Sequence, residues 1–414
     1  MRVKESAMTD LPKRLYMDNA ATSFPKPKQV TAAMVRYANE LGASAGRGVY
    51  REAIETGELI FECRRQLCEL FHGEKPEHFI FTLNCSDALN LAIKGLIGSK
   101  PGGHAICTAI DHNSILRPLN ALVGRAWLEQ TRVPIDPVTG LVDPDDIRKA
   151  IRPDTRFIAV THASNVSGTI APIHEIGLIA HEHGTPFIVD AAQSAGHLPI
   201  DVQADYIDLL AAPGHKGLLG PLGTGFLYIR PGMENLLSTT REGGTGSVSE
   251  QDSQPNFMPD KFEAGSHNAI GIIGLLEGLR WIGGQTIAKL AGHERELCGI
   301  FLEGMREIEG LALFGPRTLE HRVGVFSVRV GEMQPHALAA VLESRYGILT
   351  RPGLHCAPTA HKSFGTLQIG GTTRFSFGPF LTAENVRYAV EALREISRAG
   401  TTSQSALGAL PAER

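Results

Sequence analysis

The chain has 414 residues, 43% of them hydrophobic and 20% charged, with a formal net charge of −4 at pH 7. At ~100–200 residues per domain, this length predicts two domains or one large domain with a smaller companion. The mixed charge gives no electrostatic basis for a nucleic-acid or membrane partner. No apolar run approaches the ~20 residues that cross a bilayer, and the first residues lack the apolar stretch of a secretion signal, so we expect a cytoplasmic protein.

The cysteines are scattered along the chain, and no two of them form a Cys-x-x-Cys pair. This spacing predicts reduced thiols rather than a disulfide framework or a zinc ribbon. The six positions are Cys63, Cys68, Cys85, Cys107, Cys298 and Cys356.

Short apolar runs alternate with helical periodicity through most of the chain. Residues up to about 28 are rich in loop signals, and helices are then predicted from about residue 29 and over 56–71. Strands are predicted over 78–82, 104–108, 157–161, 187–190, 206–210 and 225–229, with helices over 87–95, 113–123 and 173–183. This alternation predicts an α/β fold with a mainly parallel sheet covered by helices on both faces.

The pattern changes after a predicted helix over 269–281. A helix over 287–308, strands over 324–329 and 373–377 and another helix between them predict a smaller α+β domain. We therefore expect a large domain over 25–284 and a small domain made of 1–24 and 285–400. Residues 401–414 are small and polar, which predicts a flexible tail.

A glycine-rich segment over 213–225 places Lys216 beside His215, and an apolar strand upstream ends in Asp190. Glycine lets a flat ligand approach the backbone closely. A lysine for covalent attachment and an acid for the pyridinium nitrogen are what pyridoxal phosphate requires. The alternatives are a surface lysine in a turn and, for Asp190, a helix N-cap. A phosphate-binding P-loop is excluded because Gly217 follows the lysine, where Ser or Thr is needed.

Parallel sheets bind ligands at the carboxyl ends of their strands. Asn165, Asp190 and Lys216 each follow a different predicted strand, so we expect them to meet at one edge of the sheet.

With these segments the chain resembles the class V aminotransferases of pyridoxal phosphate fold type I. Within that family it resembles the group of cysteine desulfurases and selenocysteine lyases. The resemblance runs from about residue 16 to about 393, and its motifs lie at 16–22, 189–197, 214–217, 262–266 and 353–358. It implies a homodimer whose large domain has a mainly parallel seven-stranded sheet, with a smaller α+β domain beside it.

The resemblance assigns roles around the cofactor ring. Lys216 would attach pyridoxal phosphate and, once released, act as general base at the substrate Cα. Asp190 would pair with the pyridine nitrogen, while Gln193 and Asn165 would hold the phenolic oxygen. His112 would stack on the ring and act in catalysis by moving protons near neutral pH, although the segment alone equally fits a capping or surface histidine.

The cofactor phosphate would bind where a helix begins after the first strand, because backbone N–H groups point outward there. By resemblance, Ser86 supplies a hydroxyl and Ser194 and His215 add contacts. Cys85 stands where relatives usually carry Thr, Ala or Gly, so only its N–H is expected to contribute. Ser266, where Thr is more usual, would reach the phosphate of a second subunit; the alternative is a simple loop serine.

Two residues would act on the substrate. Arg374 matches the arginine that clamps the α-carboxylate, for which a guanidinium fork is suited; Asn165 would also contact the substrate. Cys356 lies in a loop over 351–358 and matches a nucleophilic cysteine, with His355 or nearby arginines expected to favour its thiolate. A buried apolar thiol and a redox sensor are the alternatives. A zinc site from His355, Cys356 and His361 is not supported, because the spacing matches no known pattern and a fourth ligand is not apparent.

These residues together predict a cysteine desulfurase that converts L-cysteine to L-alanine, carries the sulfur as a persulfide on Cys356 and passes it to an acceptor. Related alternatives are a selenocysteine lyase, a cysteine-sulfinate desulfinase or another class V aminotransferase. A non-catalytic sulfur-carrier scaffold is disfavoured because the whole set of reactive residues is present. Pro379 and Ser266 depart from the family pattern and bear on substrate shape and rate.

Overall fold

A computed structural model describes residues 13–46, 48–98 and 100–407. In these residues the strands are β1 (Leu15–Tyr16), β2 (Phe79–Thr82), β3 (His104–Thr108), β4 (Glu129–Val133), β5 (Thr155–Thr161), β6 (Phe187–Asp190), β7 (Leu209–Pro213), β8 (Gly225–Ile229), β9 (Leu311–Phe314), β10 (Val325–Val330), β11 (Ile348–Leu349), β12 (Arg351–Gly353) and β13 (Thr372–Ser376). The helices are α1 (Lys28–Arg36), α2 (Arg51–Leu70), α3 (Cys85–Ile97), α4 (Asn113–Gly124), α5 (Pro144–Ala150), α6 (Ile173–Glu182), α7 (Ala269–Gln285), α8 (Ile287–Arg306), α9 (Pro335–Tyr346), α10 (Pro358–Ser363) and α11 (Ala383–Leu407). Across the described ranges, none of these helices has the length and apolar character needed to span a bilayer.

The larger sheet has seven strands within the described residues, in the order β2-β8-β7-β6-β5-β3-β4. Only β8 runs antiparallel to its neighbours, which confirms the predicted mainly parallel seven-stranded sheet. The central strands β6 and β7 are buried at every residue, as expected when helices cover both faces of a parallel sheet.

Each face of this sheet supports its own apolar core. On one face α2 and α7 pack against the sheet, with Ile60, Leu67 and Leu275 in one cluster with Val160 and Val189. On the other face α3 and α4 enclose a second cluster. The alternating inward and outward side chains of the strands therefore fill two layers and hold the carboxyl ends of β5, β6 and β7 at one edge.

Two strand assignments in the larger sheet differ from the sequence expectation. The strand expected over 206–210 is β7 and begins at Leu209, because Tyr206 adopts a left-handed backbone conformation that a strand cannot contain. The edge strand β4 was missed, because its sequence Glu-Gln-Thr-Arg-Val carries only one buried residue and no apolar run.

The C-terminal half adds an antiparallel sheet with the order β12-β13-β10-β9 in the described residues. Helices α8 and α11 pack against it through a core that includes Phe301, Phe326 and Phe375. The N-terminal segment joins this unit, since β1 pairs with β11 and Met17 is buried in the same core. The domain limits stay a prediction, although Thr286, with φ of 68°, separates α7 from α8 close to the expected boundary.

The segment expected to be a loose tail from residue 401 instead continues α11 as far as Leu407. Extending an existing helix adds a hydrogen bond for each residue fixed, without the cost of a new nucleus. The rest of the predicted tail, 408–414, lies outside the described residues.

Candidate active site

A cavity of about 470 Å³ opens at the carboxyl edge of the larger sheet. The ends of β5, β6 and β7 form its floor, and the first turns of α3 and α4 form its rim. The predicted site residues that line it are Cys85, Ser86, His112, Asn165, Asp190, Gln193, His215 and Lys216. The sheet thus brings together residues from five separate segments of the chain.

Asp190 is almost fully buried, at 1% exposure, and only one of its oxygens is used by the protein. Oδ1 accepts from the backbone N–H of Ala192 at 2.9 Å and from the Cys85 thiol at 3.3 Å. Oδ2 has no hydrogen-bond partner among the described residues. Burial raises the pKa of Asp190, and the Ala192 N–H and the nearby Lys216 charge oppose that shift. The free oxygen is suited to a protonated ring nitrogen.

The Cys85 side chain therefore does more than the sequence analysis expected. Its thiol is buried at the start of α3 and donates to the Asp190 carboxylate. Burial, followed by the Asp190 charge, raises the pKa of Cys85. The thiol thus stays protonated and remains a donor.

Lys216 lies half-buried in the loop after β7. Burial lowers its pKa, and Asp190 partly offsets that effect. A lysine with a lowered pKa supplies the neutral amine needed for covalent attachment and proton abstraction.

The peptide before Lys216 is fixed by its carbonyl. The His215 carbonyl accepts hydrogen bonds from Lys26 Nζ at 2.7 Å, the Ser23 N–H at 3.0 Å and Thr22 Oγ1 at 3.1 Å. The N-terminal motif over 16–22 thereby helps to position the lysine loop.

His112 is both the N-cap of α4 and part of the cavity wall. Its Nδ1 accepts from the Ser114 N–H at 3.0 Å, so the neutral ring carries its hydrogen on Nε2. Burial, followed by the charge of Lys216, lowers the pKa of His112 to about 3. The ring is therefore neutral at pH 7.

Ser114 is a site residue that the sequence analysis missed. Its hydroxyl lies 2.6 Å from the Ser86 hydroxyl, so the first turns of α4 and α3 meet at one point of the cavity. Two helix N-termini and two hydroxyls at one point are suited to binding an anion. A serine two residues after His112, at a predicted helix start, was the available signal.

The residues present fit pyridoxal phosphate. Among the buried side-chain atoms without a hydrogen-bond partner in the described residues are Asn165 Oδ1 and His215 Nδ1, whose residues line the cavity, and Ser194 Oγ, whose residue does not. Leaving buried polar groups unpaired is unfavourable, so the Asn165 and His215 atoms indicate a polar ligand in the cavity. The helix starts with Ser86 and Ser114 match the phosphate of this cofactor, the free Asp190 oxygen matches its ring nitrogen, and Lys216 matches its aldehyde.

Arg374 lies beside this cavity without lining it. It belongs to the internal strand β13 and is 1% exposed, so it is not a strand-edge charge. Its Nη2 pairs with Asp18 Oδ1 at 2.6 Å, and its Nη1 donates to the Asn165 carbonyl at 3.1 Å. The Nε has no partner among the described residues and leaves one N–H for a carboxylate.

Cys356 lies on an exposed loop between β12 and α10. His355 and Cys356 have φ values of 49° and 58°, and such left-handed non-glycine residues cost ~1–3 kcal/mol each. Two contacts hold them: the Asn165 side chain donates to the His355 carbonyl at 2.5 Å, and the Asn113 N–H donates to the Cys356 carbonyl at 2.8 Å. The thiol is therefore tied to segments that line the cavity.

The charge beside the Cys356 thiol comes from Arg351, not from His355. Arg351 Nη2 lies 3.8 Å from Sγ. His355 is 3% exposed, and burial, followed by the Arg374 charge, holds its pKa well below the usual value. Of the two sources expected to favour the thiolate, this arrangement supports a nearby arginine rather than His355, whose ring is buried and neutral.

Ser266 does not line the Lys216 cavity of its own chain. It lies in a separate cavity with Asp87 and Arg241. The neighbouring His267 is fixed by Glu263 at 2.6 Å. A contribution of Ser266 to the site of a second subunit stays a prediction.

Residues 15–388 match the family model described as Aminotransferase class-V, and the chain belongs to this family. A "Probable cysteine desulfurase" of Methanothermobacter thermautotrophicus is 35% identical over 402 residues, which cover 96% of this chain and 98% of the relative. A "Cysteine desulfurase" of Escherichia coli O157:H7 is 30% identical over 389 residues, which cover 92% of this chain and 93% of the relative. These matches confirm the family predicted from the motifs.

The fold agrees with solved structures of similar proteins. The apo structure of a cysteine desulfurase from Thermococcus onnurineus NA1 is similar with a TM-score of 0.88 and 35% identity, covering 96% of this chain and 99% of that chain. A cysteine desulfurase structure from Escherichia coli is similar with a TM-score of 0.81 and 25% identity, covering 92% and 94%. These likenesses confirm the predicted fold.

Proposed function

We propose that this protein is a pyridoxal phosphate-dependent cysteine desulfurase that converts L-cysteine to L-alanine and takes the sulfur onto Cys356. The observation that carries the proposal is the exposed Cys356 thiol, held beside Arg351 on a loop tied to the Lys216 cavity. All six cysteines lie in the described residues, and the other five are buried. The relatives named cysteine desulfurase support the same reaction.

Pyridoxal phosphate, when bound, withdraws the electrons that are left at the substrate Cα after its proton is removed. Lys216 would hold the cofactor covalently, and Asp190 Oδ2 would keep the ring nitrogen protonated. Ser86, Ser114 and the two helix N-termini would bind the phosphate. The neutral His112 would cover the ring.

The chain's own residues then move the proton and orient the substrate. Released by the substrate amine, Lys216 would take the Cα proton, because burial lowers its pKa and so favours the neutral, basic form of the amine. Arg374 would bind the substrate carboxylate through its unpartnered Nε–H, while Asp18 and the Asn165 carbonyl hold the guanidinium in place.

The sulfur step takes place between two sulfur atoms. The Cys356 thiolate attacks the substrate sulfur, so that an S–S bond forms while the substrate Cβ–S bond breaks. The electron pair of the broken bond stays with carbon, which gains a proton at Cβ, and regaining the Cα proton completes alanine. Cys356 is left with one added sulfur atom, which a thiol acceptor removes.

The functional unit in this proposal is a homodimer. Ser266 lies away from the Lys216 cavity of its own chain, next to a segment rigidly anchored by the buried pair of Glu263 and Arg64. A second copy would bring this serine to the phosphate end of the partner's cavity. A protein thiol that accepts the sulfur would approach from the exposed side of the Cys356 loop.

The first test measures sulfide and alanine released from L-cysteine in the presence of a reductant. We expect equal amounts from the wild type and none from Cys356→Ala, while Cys107→Ala, which removes a buried thiol, keeps both products. The absorbance of bound cofactor should be unchanged in Cys356→Ala.

Full turnover by Cys356→Ala would contradict the nucleophilic role. Bound cofactor without sulfide from the wild type would refute desulfuration of L-cysteine. Assays with selenocysteine, cysteine sulfinate and an amino acid with a keto acid then distinguish a selenocysteine lyase, a sulfinate desulfinase and an aminotransferase.

A further inference from the structure

Behind the Cys356 loop lies a buried pair of histidines that no step of the proposed reaction uses. His355 Nδ1 and His361 Nε2 are 3.3 Å apart, and both rings are buried, at 3% and 0% exposure. His361 belongs to α10 and does not line the Lys216 cavity. Buried, hydrogen-bonded histidines hold a fixed geometry only when every ring nitrogen has a matching partner.

The partners fix the direction of each hydrogen bond. His355 Nε2 lies 3.0 Å from the Arg351 carbonyl, and a carbonyl only accepts, so this nitrogen carries the hydrogen. In the neutral ring Nδ1 then accepts from His361 Nε2. His361 Nδ1 in turn accepts from the Thr366 hydroxyl at 2.7 Å.

Both rings are neutral in this arrangement. Burial lowers the pKa of His361 to about 4. Burial, followed by the charges of Arg374 and Arg351 and the neighbouring His361, holds the pKa of His355 well below its usual value. At pH 7 the hydrogen bonds therefore run in one direction, from Thr366 through both rings to the Arg351 carbonyl.

The Cys356 loop needs such support because two consecutive residues, His355 and Cys356, are left-handed. The Asn165 and Asn113 contacts hold the two carbonyls, but neither of them fixes the His355 side chain. His361 supplies that restraint, and His355 in turn holds the carbonyl of Arg351, the residue beside the Cys356 thiol.

We propose that His361 is a positioning residue that, through His355, holds Cys356 and Arg351 in register for sulfur transfer. The inference rests on the proposed function for the reaction that it serves. It predicts a selective loss: the sulfur step fails while the chemistry at Cα, which needs Lys216 and the cofactor but no thiol, continues.

The variants are His361→Leu, which removes both ring nitrogens, and His361→Gln, which keeps an N–H that can donate to His355. Lys362→Ala, at an exposed position of the same helix, is the matched control. Each is assayed for sulfide release from L-cysteine, for exchange of the Cα hydrogen of L-alanine in D₂O, and for the rate of Cys356 alkylation.

Misplacing a reacting group by about 1 Å costs up to ~100-fold in rate, so we expect His361→Leu to lose between ~10-fold and ~100-fold in sulfide release. Its Cα exchange should stay at the wild-type level, its Cys356 should alkylate more slowly because the thiol leaves the Arg351 charge, and His361→Gln should recover most of the loss. Lys362→Ala should match the wild type.

Unchanged sulfide release in His361→Leu, an equal loss in sulfide release and Cα exchange, or no recovery in His361→Gln would each overturn the proposal. If His361→Leu does not fold, Thr366→Val serves instead, because it removes only the hydroxyl at the end of the row of hydrogen bonds. We expect it to lose sulfide release and to keep Cα exchange in the same way, but with a smaller loss. If the wild type releases no sulfide, the proposed function fails, and the alkylation rate alone decides: equal rates in the wild type and His361→Leu overturn the positioning role.

Discussion

The buried ion pair of Glu263 and Arg64 should stabilise the folded chain more than any exposed pair. Arg64 Nη1 and Nη2 donate to the two carboxylate oxygens at 2.8 and 2.5 Å, and the side chains are 4% and 5% exposed. The Phe81 N–H and His267 add further hydrogen bonds at 2.6 Å each. Glu263→Gln leaves the Arg64 charge buried without a counter-charge, and removing one partner of such a pair costs ~3–5 kcal/mol.

The pH dependence of stability gives a second measure of the stabilisation by this ion pair. Burial would raise the pKa of Glu263, but the Arg64 charge and the hydrogen bonds from His267 and Arg64 outweigh it, so the pKa falls from 4.5 to about 2. At ~1.4 kcal/mol per pH unit, that difference corresponds to ~3 kcal/mol. Because the folded-state pKa is depressed, the stabilisation is fully present above pH 4.5 and is lost progressively as the pH falls toward 2.

Urea unfolding at pH 7 and at several pH values down to 3 measures both effects. We expect a large loss of stability for Glu263→Gln at pH 7. The difference in unfolding free energy between this variant and the wild type should become smaller as the pH falls. The control is Glu129→Gln, since Glu129 pairs with Arg152 at the surface with 72% of its side chain exposed, and such pairs contribute ~0–1 kcal/mol. Equal unfolding midpoints for the two variants at pH 7, or a gap that does not depend on pH, would refute this reasoning.

Two further predictions concern the cavity. Cys85→Ala removes the thiol donor to Asp190. Because such a hydrogen bond contributes ~1 kcal/mol, this variant should bind pyridoxal phosphate roughly fivefold more weakly, whereas Cys85→Ser should bind it like the wild type. Equal affinities of all three proteins in an absorbance titration would contradict the role of the thiol. Arg374→Lys loses the guanidinium fork between Asp18 and the Asn165 carbonyl. Because a charge-assisted hydrogen bond of ~1.5–3 kcal/mol is lost, the KM for L-cysteine should rise by at least ~10-fold. An unchanged KM would show that the substrate carboxylate binds elsewhere.

The strands that could be predicted from the sequence are those whose residues are all or mostly buried. β3, β6 and β8 lie at the expected residues because a strand that is buried on both faces of a sheet reads as a nearly continuous apolar run. β4 and the short strands β1, β11 and β12 could not be predicted in this way. β4 is an edge strand without an apolar run, β12 is an edge strand of three residues, and β1 and β11 form a two-residue ladder that is too short to show a period.

The site residues that could be predicted are likewise those with a local sequence signal. Lys216 and Asp190 could be placed from the sequence because Asp190 ends one apolar strand and Lys216 lies in the loop just after another. The Cys85 thiol on Asp190 and the Ser86–Ser114 contact could not, since they join segments that meet only after the sheet is formed. The sequence around His355 suggested activation of Cys356, but burial, which a single sequence does not display, reverses that role.

Asn165 shows most clearly what long-range folding adds, because its local sequence is typical of an ordinary turn. Its side-chain N–H holds the loop that bears Cys356, and its backbone carbonyl holds the Arg374 guanidinium. Its Oδ1 is buried without a partner in the described residues, and the residue also lines the Lys216 cavity. One residue therefore contacts the nucleophile loop, the carboxylate-binding arginine and the cofactor space. A change of its side chain should disturb sulfur transfer and cofactor binding together, in contrast to the selective loss expected at His361.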